Sequence, residues 1–154
     1  MTSKNGVIRI RVAGIALNKN NELLLVNHQK EGRSYWLFPG GGVEYGETLE
    51  EALSREFAEE LSVKPASIGS LVFVHDTIYP DKKRHILNLY FRVTLKKNAK
   101  IRANPELVMK GASFVGMKEF KKLLFYPGIK NAIIRLWKKG FSKSPGYIRT
   151  KWKK

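Results

Sequence analysis

Cysteine is absent from the chain. That excludes disulfides and thiolate metal sites and fits a reducing compartment, so a cytoplasmic location is expected. Long apolar runs are absent too. No stretch of about 18 apolar residues occurs, and neither a membrane span nor a membrane partner is expected. The start, MTSKNG, is polar, and Arg9 and Arg11 break the apolar segment after it, so no secretory signal is expected. Internal repeats are not found. Acidic residues are scarce, 13 against 29 lysines and arginines, for a net charge of +16. Such a charge attracts polyanions without separating nucleotides, nucleic acid and acidic membrane surfaces, and it fits a solvated lysine surface equally well.

What is present suits a folded protein. The 154 residues are 43% hydrophobic and 11% aromatic, enough for one domain with a real core. The scarce acids are also concentrated. Seven of the 13 lie between Glu44 and Glu60, with Arg55 as the only cation among them. That window carries −6 and the remaining chain +22, together the +16 of the whole. A cation site beside an anion site would produce this contrast, and the pairing suits chemistry on phosphates.

Patterning places the cluster. Val7 to Leu17 and Glu22 to Val26 read as strands around an Asn18–Asn21 turn. Trp36 to Val43, with three glycines after Pro39, reads as a loop of unusual backbone angles. Thr48 to Leu61 reads as a helix with Thr48 as N-cap and Glu51 as its capping-box partner. Ile68 to Ile78 and Ile86 to Leu95 read as strands joined by a turn at Tyr79–Lys83. A loop from Asn104-Pro105, a short strand at Ala112–Val115 and a helix from Ile129 to Lys138, closed by Gly140, follow. Residues 1–140 are expected to form the single domain, and 141–154 a basic tail. Strands, one helix, strands and a late helix favour a mixed sheet with helices packed on it over a repeating βαβ fold.

At about 100° per residue, Leu53, Phe57 and Leu61 fall about 40°, 80° and 120° from Leu49 and form the buried stripe. Glu56, Glu59 and Glu60 fall at about 340°, 280° and 20°, so three carboxylates share one arc against the protein body. Glu59 and Glu60 also lie in the last turn, where the helix dipole disfavours negative charge by roughly 0.3–1 kcal/mol each. A hard divalent cation would relieve both problems. Oxygen ligands without nearby Cys or His point to Mg²⁺ or Mn²⁺ and away from Zn²⁺. A surface helix that is merely rich in glutamate remains the plainer alternative.

Residues 41–63, GGVEYGETLEEALSREFAEELSV, closely resemble the Nudix box, G-x5-E-x7-R-E-U-x-E-E-x-G-U, where U is a large apolar residue. Gly41, Glu47, Arg55, Glu56, Phe57, Glu59, Glu60 and Val63 match. Ser62 departs from the final glycine; it can adopt the left-handed helix end at a cost of roughly 1–2 kcal/mol. Trp36 to Gly40 also resembles the family's lead-in. The resemblance implies an α/β/α sandwich with a mixed β-sheet between helices, and hydrolysis of a nucleoside diphosphate linked to another group. It implies metal ligands at Glu56, Glu59 and Glu60 with the Gly40 carbonyl, and a structural Glu47–Arg55 pair beside Gly41. Catalytic roles are implied for Glu60, Glu59 and Arg55. Glu106, in a separate loop, is a further candidate base, and is equally readable as an ordinary loop acid.

The substrate is less determined. Relatives are told apart by a residue some way past the box, proline with ADP-ribose and tyrosine with dinucleoside polyphosphates, but here Tyr79 and Pro80 are adjacent. Arg33, Tyr35, Arg84 and His85 are candidate substrate contacts, each also readable as an ordinary hairpin, loop or core residue. A nucleoside diphosphate-sugar of the ADP-ribose or GDP-mannose type, cleaved to a nucleoside monophosphate and a sugar phosphate, is the first expectation. The alternatives are a dinucleoside polyphosphate or RNA 5′ end and a non-catalytic nucleotide-binding module. Phe141, Tyr147 and Trp152 interleave the basic tail as in a nucleic-acid binder, although a flexible solvated end is the favoured reading. A homodimer is suggested by analogy alone.

Overall fold

The computed structural model describes residues 6–104, 109–143 and 145–151. Among them the chain runs β1 (Ile8–Ile15), β2 (Leu23–Lys30), β3 (Arg33–Leu37), β4 (Gly40–Gly42), α1 (Leu49–Leu61), β5 (Ser67–Ile78), β6 (His85–Thr94), β7 (Met109–Val115), α2 (Met117–Phe120), α3 (Lys130–Lys138) and β8 (Gly146–Lys151). Two sheets form, a five-stranded one in the order β4-β1-β6-β5-β8 and a three-stranded one in the order β3-β2-β7. The larger is mixed, since β1–β6 and β5–β8 are parallel while β1–β4 and β5–β6 are antiparallel.

Helices cover both faces, as the expected α/β/α sandwich requires. Ala52, Leu53, Phe57 and Leu61 of α1 pack with Val12, Ala16, Leu24 and Val26. Ile133, Leu136 and Trp137 of α3, with Phe120 of α2, pack with Ala13, Ile15, Leu23 and Leu25 on the other side. β1 and β2 thus send successive residues into two cores, because side chains alternate along a strand. Double coverage explains why Leu23, Leu24, Leu25 and Val26 form an unbroken apolar run, all fully buried.

The loop expected over residues 36–43 is partly strand. Trp36 and Leu37 end β3, and the three glycines form β4, with Arg11 opposite Gly42, Val12 opposite Gly41 and Ala13 opposite Gly40. Gly40 has φ +152°, and a Cβ there would overlap the Val12 carbonyl oxygen. Only a glycine lets β4 lie this close to β1.

Residues 141–143 and 145–151, set apart from sequence as part of a basic tail, join the domain. Phe141 is buried in the α3-side core, and β8 pairs in parallel with β5. Side chains reinforce the pairing. His75 Nε2 and Thr150 Oγ1 are 2.7 Å apart, and the Tyr147 O–H donates to Asp76 Oδ2 at 2.8 Å. Two of the three aromatics considered for base stacking are therefore engaged by the fold, and Trp152 lies outside the described residues.

Burial lowers the His75 pKa from 6.5 to about 4. Between those values the unfolded chain takes up a proton that the folded chain refuses, so this group's contribution to stability is present above pH 6.5 and is lost as pH falls toward about 4. An NMR titration should find the ring neutral until pH approaches about 4, with the urea midpoint falling across the same interval. A ring titrating at its ordinary value would show that β8 is not seated over it.

Candidate active site

The acidic helix begins as its sequence predicts. The Thr48 side chain accepts from the Glu51 N–H at 3.1 Å, and Glu51 Oε2 accepts from the Thr48 N–H at 2.8 Å, completing the capping box. Ser62 ends the helix in the left-handed conformation, at φ 56° and ψ 26°, with its N–H on the Ala58 carbonyl. The departure from glycine is thus accommodated at the backbone angles that a glycine would adopt.

Arg55 organises the approach to the helix. Its Nε donates to Glu47 Oε1 at 2.6 Å, and its Nη2 donates to Glu47 Oε2 at 3.0 Å and to the Gly42 carbonyl at 2.9 Å. A planar fork of donors suits this three-way clamp between loop, strand and helix. Glu47 Oε2 also accepts from the Glu44 N–H at 2.9 Å. The Arg55 bond, and after it the Glu44 N–H, pull the Glu47 pKa from 4.5 down to about 2. The remaining nitrogen, Nη1, faces Glu56 Oε1 at 2.9 Å and Glu59 Oε2 at 3.5 Å.

Glu60 faces inward. It is 5% exposed, and the Gly40 N–H donates to its Oε2 at 3.0 Å. Burial pushes its carboxyl from 4.5 up to about 8; the charges of Glu56 and Glu59 add to this, while the Gly40 N–H and Arg11 oppose it. Glu56 reaches the next residue of the same strand, and a Cβ on Gly41 would overlap its carboxylate. Two carboxylates therefore meet adjacent glycines of β4, while Glu59 is 53% exposed at the rim. Mutually repelling carboxylates, one of them buried, form a donor set that fits a hard divalent cation. Among the described residues no three acidic or histidine side chains converge on one point. Arg55 engages both Glu56 and Glu59, and Glu60 is turned inward to the Gly40 N–H.

On the other side of β4's partner strand lies a cavity of about 460 Å³. Its wall includes Ala13, opposite Gly40, and Phe38, two residues before it, so it borders the carboxylates without containing them. Of the residues considered as substrate contacts, Arg33, Tyr35 and Arg84 line it. Of the neighbouring Tyr79 and Pro80, only Tyr79 faces it, with the Arg84 guanidinium 5.6 Å from its ring centre. His85 is not among the lining residues; strand alternation turns it away from Arg84 and Ile86, and its Nε2 is 2.8 Å from Asp76 Oδ1. Glu106 lies outside the described residues. Arg9 and Arg11 also line the cavity. The sequence shows them only as interruptions of an apolar strand, although two arginines at i and i+2 share one face.

The NUDIX domain family model matches residues 7–136, and the chain belongs to the Nudix family. An ADP-ribose pyrophosphatase of Methanocaldococcus jannaschii is 31% identical over 117 residues, 75% of this chain and 66% of that protein. An RNA pyrophosphohydrolase of Francisella tularensis is 37% identical over 76 residues, 49% of this chain and 47% of that protein, so the match spans about half its length. An 8-oxo-dGTP diphosphatase of Proteus vulgaris is 37% identical over 89 residues, 56% and 76% of the two chains. Among solved structures, the MutT protein from Methanosarcina mazei Go1 superposes with a TM-score of 0.73 at 19% identity, over 92% of this chain and 100% of that one. At that identity the likeness speaks for the fold alone.

Arg55→Lys keeps the charge and removes the fork. One ammonium cannot reach Glu47, Gly42 and Glu56 together, so the melting temperature should fall by about 2–4 °C. An unchanged melting curve would show that the clamp does not hold the loop to the helix.

Proposed function

We propose that the protein is a divalent-metal-dependent pyrophosphohydrolase that cleaves a nucleoside diphosphate linked to another group. The observation that carries this reading is the junction at β1 and β4, where the buried Glu60 carboxylate, with Glu56 beside it, borders a cation-lined cavity of nucleotide size, about 460 Å³. Glu56, Glu59 and Glu60, with the Gly40 carbonyl, are the proposed holders of Mg²⁺ or Mn²⁺. When bound, such an ion neutralises pyrophosphate oxygens and acidifies water. The chain's own part is positional. Arg55 and Glu47 fix the loop to α1, the glycines of β4 admit the carboxylates, and Glu59, Glu60 or the loop acid Glu106 accepts the proton of the attacking water.

Within this class two finer readings have support. The likeness to an ADP-ribose pyrophosphatase, extending over 75% of this chain, favours a nucleoside diphosphate-sugar, with a nucleoside monophosphate and a sugar phosphate as products. The cavity's charge favours a more highly phosphorylated substrate. With Mg²⁺ present, the parent should hydrolyse a phosphoanhydride bond in at least one member of a panel spanning both groups. Glu60→Gln should lower kcat by about 100-fold or more while circular dichroism remains that of the folded parent. Failure of the parent to hydrolyse anything, with Mg²⁺ or Mn²⁺, would leave a non-catalytic nucleotide-binding module on the same fold.

A further inference from the structure

The cavity carries charge that a neutral sugar would leave unanswered. Arg9, Arg11, Lys30, Arg33 and Arg84 line it, against Glu31 as the one acidic lining residue. Among the described residues, ion pairs are made by Arg55 and His85, and none by these five cations. The Arg11 Nε is buried without a hydrogen-bond partner. Burying an unanswered polar group of a charged side chain is costly, and a ligand anion would answer it.

The cations also form a track. Ala13 lies opposite Gly40, the glycine that holds Glu60, and Arg11 lies opposite Gly42. Arg9 follows on the same face, about 6–7 Å further along the strand. Ile8 then pairs with His85, which brings Arg84 beside the start of β1. Positive charge therefore extends from the carboxylates toward the far end of the cavity. A nucleoside diphosphate-sugar has two phosphates, both needed at the scissile bond, and so brings no anion to this track. A longer phosphate chain does.

Resting on the hydrolase reading above, we infer that the substrate carries a chain of three or more phosphates, whose outer members lie on the Arg11–Arg9–Arg84 track. A nucleoside triphosphate, a dinucleoside polyphosphate and a triphosphorylated RNA 5′ end share this chemistry.

The test uses the full chain with Mg²⁺ at low salt on five substrates: adenosine triphosphate, diadenosine tetraphosphate, a 5′-triphosphorylated oligoribonucleotide, ADP-ribose and GDP-mannose. At least one of the first three should exceed both sugars in kcat/KM by about tenfold or more, with the gap narrowing as salt is raised. Whichever leads identifies the source of the chain. Arg11→Gln and Arg84→Gln should each reduce that ratio several-fold, and Arg84→Lys should restore much of it. Sugars cleaved as well as the polyphosphates, or a ratio that both substitutions leave untouched, would overturn the inference. Failure on all five substrates would defeat the hydrolase reading instead. Calorimetry with Ca²⁺ in place of Mg²⁺ then still decides the cavity's preference. Adenosine triphosphate should bind about tenfold or more tighter than ADP-ribose, and equal affinities would count against the track.

Discussion

The carboxylates of α1 reach the sheet because β4 presents no Cβ to hold them away. Gly40 can approach the Val12 carbonyl only without a side chain, and Gly41 leaves the space that the Glu56 carboxylate fills. Given that contact, the rest of the site follows in order. Leu53, Phe57 and Leu61 anchor the helix in the core, so Glu60 on the adjoining arc must point inward. There it finds the Gly40 N–H and little water. A larger residue in β4 would lift the strand from β1 or push the helix off the strand, and either movement separates the acids from the cavity.

Arg55 has a second consequence beyond fixing the loop. Without an ion, it is the nearest positive charge for Glu56 and Glu59 and moderates their repulsion of Glu60. Its pairing with Glu47 is independent of those contacts, because different nitrogens make the two sets. Were Glu56 and Glu59 to turn away from Nη1, Nε and Nη2 would still hold Glu47 and the Gly42 carbonyl. A lysine offers no such division of labour.

The acidic helix was legible in the sequence because its determinants are local. The Thr48 cap, the Glu51 return bond, the apolar stripe and the inward arc of Glu60 all depend on residues within a few turns of one another. The left-handed Ser62 was legible for the same reason. β4 was not, since glycines carry no strand propensity and its pairing partner lies some thirty residues earlier, in β1. The cavity was hidden similarly: Arg33 and Arg84 could be named, but only the β1–β6 and β2–β3 pairings bring them to one wall with Arg9 and Arg11. His85 shows the opposite limit. Its neighbour Arg84 faces the cavity, and one step along the strand exchanges that environment for Asp76.

β8 changes how the basic excess should be read. Its lysine and arginine stood in sequence among seven cations without an acid after residue 137, a composition that suggests a solvated end. Propensity alone does not place GYIRTK in a sheet. β5 supplies the reason, offering an edge with His75 and Asp76 at the positions where Thr150 and Tyr147 arrive. Asp76 is held below its ordinary pKa against the cost of burial by Tyr147, His85 and the nearby Arg149 charge, so it answers groups on two flanking strands. One acid thus ties β6 and β8 to β5, and the positive charge on β8 belongs to a fixed surface of the domain. Part of the excess outside the acidic helix therefore lies on an edge strand beside Asp76, and part on a cavity wall whose five cations, among the described residues, form no ion pair.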